Sequence, residues 1–133
     1  QVILPRLASG LGRALLACAE GRLAVERLEW RSEACVGVVV ASAGYPGTVE
    51  TGKLLSGLAE AASMQDVTVF HSGTARRDGR VVTAGGRVLT VAALGPSLEE
   101  ARARAYEAVA AISFDGMWFR TDLAGELRQG AAR

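Results

Sequence analysis

The chain is poor in the residues that build self-contained catalytic centres. Its 133 residues contain one histidine, His71, and two cysteines, Cys18 and Cys35. A lone histidine excludes a multi-histidine metal site. Two cysteines far apart in sequence make neither a zinc site with it nor a disulfide framework. So few cysteines fit a reducing compartment, and the expected location is the cytoplasm. An excess of charge is also missing: 15 Lys+Arg stand against 14 Asp+Glu, a formal net charge of +1. That balance argues against a nucleic-acid partner, and 50% hydrophobic content argues against disorder. No apolar run reaches the ~18 residues of a membrane span, and no basic-then-apolar leader opens the chain, so no membrane partner is expected. The first residue is Gln1 rather than Met, which leaves open whether the sequence is complete. What remains is one soluble domain, long enough to bury a core.

The pattern that is present reads as α+β: a small mixed β-sheet with flanking helices. Leu4, Leu7, Leu11, Leu15 and Cys18 recur at helical spacing and predict one amphipathic helix over 2–20. Pro5 is tolerable in its first turn, and Gly10 and Gly12 weaken it. Residues 22–33 read as a short extended connection. Cys35 to Ala41 is a nearly continuous β-branched run, the mark of a strand covered on both faces. Further strands are expected at 67–71, 81–82 and 88–92, with Asp78-Gly79 as a hairpin turn. Ser97 to Ile112 is the clearest helix, with a Ser97/Glu100 capping box, a Glu100–Arg104 pair and an apolar face from Leu98 to Ile112. A last strand is expected over 114–120, with an Arg120–Asp122 surface ion pair, and fraying beyond Gln129.

Candidate sites are incomplete as catalysts. Gly47 through Gly52-Lys53 has the glycine spacing of a phosphate-binding P-loop. Leu54 stands where that loop needs a Ser or Thr for magnesium, so the glycines read as structural. No Gly-x-Ser-x-Gly elbow is present. His71-Ser72-Gly73-Thr74 closes an apolar strand with small polar residues, which fits either a turn or a binding site. Thr83-Ala84-Gly85-Gly86-Arg87 sets paired glycines beside an arginine, which fits either a phosphate contact or an ordinary hairpin. The Arg76–Arg80 tip reads as a solvated turn. No metal ligand set and no catalytic residue can be assigned. A binding module or a piece of an enzyme fits these residues.

Taken in order, Gly44-Tyr45-Pro46-Gly47, Gly52-Lys53, Gly57, then Val69-Phe70-His71-Ser72-Gly73-Thr74 form a distinctive series. Thr83-Ala84-Gly85-Gly86-Arg87-Val88-Leu89, Ala105-Tyr106 and Phe119-Arg120-Thr121-Asp122-Leu123 complete it. This series resembles the C-terminal domain of the phosphoribosylamine–glycine ligase family over nearly the whole chain. The opening Gln1 to Leu7 is similar to the segment after that family's metal-binding motif. Departures are Val49 for an aromatic residue, Ser72 for Ala, Ala124 for Gly, and Glu126-Leu127 for an Arg-Ala pair.

The resemblance implies an ATP-grasp ligase of purine biosynthesis. Such a ligase joins glycine to 5-phosphoribosylamine with ATP and Mg²⁺ or Mn²⁺, by way of a glycyl phosphate. It implies that 1–33 are the terminal helix and connection of the ATP-grasp portion, and 34–133 a C-terminal domain with rudimentary hybrid-motif β-structure. The ATP and metal sites would then lie upstream. This chain alone would be inactive and bind no cofactor. Arg87, with Gly85, Gly86, Thr83, His71 and Thr74, is the expected contact for the substrate's phosphate. The alternative is a standalone small-molecule or phosphate-binding domain, or an interaction domain, without catalysis.

Overall fold

Along the central strand Val36, Val38 and Val40 are buried, while Gly37 and Val39 between them are not. The computed structural model describes residues 1–25 and 27–125. Its strands are β1 (Ala34–Ser42), β2 (Val67–His71), β3 (Thr74–Arg77), β4 (Arg80–Thr83), β5 (Arg87–Gly95) and β6 (Met117–Phe119). Its helices are α1 (Leu11–Ala19), α2 (Leu58–Ser63) and α3 (Leu98–Ala111). Four strands form one sheet in the order β2-β5-β1-β6, and β3-β4 is a separate hairpin. Every strand pairing is antiparallel, which corrects the expected mixed sheet. The connections explain this: none of these pairings joins strands by the right-handed crossover that a parallel pair requires.

One face of the sheet packs on α3. Val36, Val38 and Val40 of β1 and Leu89, Val91 and Ala93 of β5 meet Ala101, Ala105, Ala108 and Val109. Alanines let the helix lie close to the strands. A Cβ on Gly95 would come within 2.4 Å of the Ala101 nitrogen. The Ser97/Glu100 capping box forms as expected, with the Ser97 hydroxyl accepting from the Glu100 N–H at 3.1 Å. Glu100 is thereby committed to the cap. Arg104 instead pairs with Asp66 at 3.2 Å and donates to the Leu94 carbonyl.

The opposite face is only partly covered, contrary to the expectation for β1: Val39 is 39% exposed. Gln1 and Val2 lie across it. Thr90 Oγ1 donates to Gln1 Oε1 at 2.8 Å, and a Cβ on Gly37 would meet Val2 at 2.8 Å.

The single helix expected over 2–20 is divided. A 3₁₀ turn at Leu4–Arg6 is followed by α1 only from Leu11. Pro5 and Gly10 favour the break, and Leu7 bridges Trp30 in the extended stretch between. Most of the apolar stripe remains exposed, and only Ala17 of α1 is buried. The connection over 22–33 contains a 3₁₀ turn at Leu23–Val25. The strand expected over 114–120 shortens to β6, because Phe114 turns into the core. Fraying beyond Gln129 and the Glu126-Leu127 departure concern residues outside those described.

Candidate functional site

Two glycine-bearing loops meet at one end of the sheet, after β2 and before β5. Gly73 donates its N–H to the Arg87 carbonyl at 2.8 Å, and Ala84 donates to the Gly73 carbonyl at 2.8 Å. A Cβ on Gly73 would sit 2.6 Å from the Arg87 oxygen, so the backbones approach as only glycine allows. Ser42, at the end of β1, donates its N–H to the Gly86 carbonyl at 2.8 Å and its hydroxyl to the Gly85 carbonyl at 3.2 Å. The Tyr45 ring covers Gly86, where a Cβ would meet Cδ2 at 2.5 Å.

A bulge then sets Arg87. The register between β1 and β5 slips after Val40, so Val40 faces Leu89 while Ala41 faces Arg87. The extra residue, Val88, is buried in the core, and Arg87 stays exposed. Tyr45, Ser72, Gly73, Gly86, Arg87 and Thr90 line an open cleft of about 520 Å³. Arg87 has no carboxylate partner among the described residues.

The other residues singled out in the sequence are placed differently. Thr83 is fully buried, and its Oγ1 accepts the Lys53 N–H at 3.0 Å. It anchors the segment 52–55, which runs beside β4 through bonds from Gly52 to Thr83, Thr83 to Lys53 and Leu55 to Val81. His71 and Thr74 line a separate groove with Leu58, Ala59, Arg76 and Val81. The cluster is therefore split: Gly86 and Arg87 share one cleft, the Gly85 carbonyl is taken by the Ser42 hydroxyl, Thr83 is buried in a supporting role, and His71 and Thr74 open elsewhere.

Lys53 does not serve a phosphate loop here. Its ammonium lies 2.9 Å from both Glu50 and Asp115, and hydrogen bonds to those carboxylates hold its pKa above the usual lysine range. The same contact lowers the Asp115 pKa. The expected Arg120–Asp122 pair forms at 2.6 Å, and its hydrogen bond brings the Asp122 pKa down to about 2. Cys35 is partly buried, which raises its thiol pKa. Among the described residues, no group of three or more His, Cys, Asp or Glu is placed to hold a metal ion. No described helix is long and apolar enough to cross a membrane.

Sequence reasoning passed over Tyr45 and Ser42 as site residues. An aromatic residue inside the Gly44–Gly47 bend was the available signal for Tyr45. Nothing local marked Ser42, whose side-chain partner Gly85 lies 43 residues away.

The structure is a small α+β domain with one partly open sheet face and, among the described residues, an unpaired arginine in its cleft. The family model for phosphoribosylglycinamide synthetase, C domain, matches residues 35–126, and the chain belongs to that family. It is 52% identical to a phosphoribosylamine–glycine ligase of Streptomyces coelicolor, over 95% of this chain and 31% of the relative. With the corresponding ligase of Synechocystis it shares 50% identity over 92% of this chain and 29% of the relative. The crystal structure of phosphoribosylamine–glycine ligase from Thermotoga maritima superposes with a TM-score of 0.72 at 36% identity, covering 86% of this chain and 27% of that one. The chain thus spans roughly three-tenths of the length of these curated relatives.

Proposed function

We propose that this chain is the C-terminal domain of a phosphoribosylamine–glycine ligase, which joins glycine to 5-phosphoribosylamine with ATP in purine biosynthesis. The observation that carries the reading is identity of about half over 92% of this chain, against 29% of the related ligase. On this reading residues 1–33 are the terminal helix and connection of an ATP-grasp portion. Residues 34–133 are the closing domain, with rudimentary hybrid-motif β-structure. ATP and Mg²⁺ or Mn²⁺ belong to the remainder of the enzyme, and this chain alone is inactive. A standalone binding or interaction domain gains no support from the relatives.

The part played by this domain follows from its cleft. Arg87 offers a planar fork of donors to the phosphate of 5-phosphoribosylamine. Gly85 and Gly86 let Ser42 and the Tyr45 ring pack against the backbone next to Arg87, and Tyr45 walls the cleft. Thr83 holds the 52–55 segment that carries Lys53. His71 and Thr74 open onto the neighbouring groove instead. A charge-assisted hydrogen bond contributes roughly 1.5–3 kcal/mol, so Arg87→Ala in the complete enzyme is expected to raise KM for 5-phosphoribosylamine about 10- to 150-fold. An unchanged KM in a folded variant rules out the Arg87 contact. A complete enzyme without glycine-dependent ATP turnover on that amine rules out the ligase itself.

A further inference from the structure

The groove between α2 and the β3–β4 hairpin holds donor groups that the ligase reading does not use. His71, Thr74 and Arg76 line it above an apolar floor of Leu58, Ala59 and Val81, around a volume of about 520 Å³. No carboxylate is part of the lining. The cleft at Lys53 is different, because Glu50 and Asp115 neutralise that ammonium at 2.9 Å each. Arg76 has no ion-pair partner among the described residues.

Strand geometry brings the donors together. Thr74 pairs with Thr83, and Arg76 with Val81, so Thr74 and Arg76 project from the same face of the hairpin. Two residues along a strand span roughly 7 Å, a separation that an arginine side chain covers easily. His71 ends β2, and its Nδ1 is hydrogen-bonded to Thr74 Oγ1 at 3.0 Å. When the threonine hydroxyl donates to Nδ1, Nε2 carries the proton and becomes a donor. Nε2 has no other partner among the described residues. On the hairpin's other face, Arg77 stands directly opposite Arg80. Like charges in that relation repel, and they add to the positive potential around the tip. Guanidinium and imidazole donors from two separate elements suit an oxyanion that accepts hydrogen bonds from several directions.

We propose that this groove is a second phosphoryl-binding site, which takes inorganic phosphate or a small phosphate monoester on Arg76 and His71. The apolar floor of Leu58 and Val81 would face the carbon body of an ester. The site does not depend on the ligase reading, and its test is a binding measurement rather than an activity.

His71 is the only histidine of the chain, so its imidazole Cε1–H gives a single reporter signal by proton NMR in the untagged protein. Titration with inorganic phosphate is expected to move that signal saturably, and acetate at equal ionic strength to move it far less. Arg76→Gln is expected to weaken phosphate binding at least about 10-fold, the loss of one charge-assisted contact. Arg80→Gln removes the same charge from the other face of the hairpin and is expected to leave affinity within about twofold. Ribose 5-phosphate binding more tightly than phosphate would support an ester as the ligand, and equal or weaker binding would support free phosphate. The proposal is overturned by a shift that chloride reproduces, or by no saturable shift. It is equally overturned if Arg76→Gln and Arg80→Gln behave alike.

Discussion

At the scale of single residues, backbone geometry decides more than side-chain chemistry. Ala124 adopts φ +51°, a left-handed conformation. That conformation costs an L-residue roughly 1–2 kcal/mol, and glycine returns part of this gain through its more flexible unfolded chain. Ala124→Gly is therefore expected to stabilise the chain by about 0.5–1 kcal/mol, read as a higher urea midpoint at unchanged slope. An unchanged or lower midpoint contradicts the strain. Arg87 was legible as a donor because paired glycines precede it. The face on which His71 would lie was not legible. It depends on the pairing of His71 with Leu89, a core residue contributed by another strand.

Elements were readable where their signals are local. The capping box of α3 needs only Ser97 and Glu100, three residues apart, and it forms. Ser97→Ala leaves the Glu100 N–H without that partner and is expected to cost about 1 kcal/mol, measured by thermal or urea unfolding. A change within ±0.2 kcal/mol, roughly the error of such measurements, would mean that water replaces the cap at no cost. The Glu100–Arg104 pair was equally local in appearance yet does not form. Glu100 already serves the cap, and Asp66 and the Leu94 carbonyl reach Arg104 from the sheet side. The first helix failed for a related reason. Its leucine spacing is real, but α1 has little to pack against within the described chain, and apolar spacing without a partner face does not hold a helix across Pro5 and Gly10. Tyr106 and Arg102 illustrate tertiary anchoring on α3. The Tyr106 hydroxyl donates to the Arg120 carbonyl at 2.7 Å, and Arg102 donates to the Leu123 and Thr121 carbonyls, fastening the segment after β6.

At the scale of the whole molecule, the core is contained in the later part of the chain. Its buried cluster runs from Val36 to Phe114 and includes no residue before β1. Residues 34–133 alone are expected to unfold in one cooperative transition, followed by circular dichroism, because an intact core is what makes a domain independent. A chain without residues 1–33 that lacks a cooperative transition would show that Gln1 and Val2 hold the sheet through its open face. The chain's own sequence determined the α+β class, the position of α3 with its cap, the hairpin turn and the family, since each rests on local spacing or on an ordered series of motifs. Tertiary structure decided the antiparallel order of the sheet, the broken first helix and the division of the polar cluster between two grooves. Each of these depends on contacts between residues distant in sequence: a strand's side chains alternate by a period of two, and only its partner and the helix packed on it fix which set faces inward.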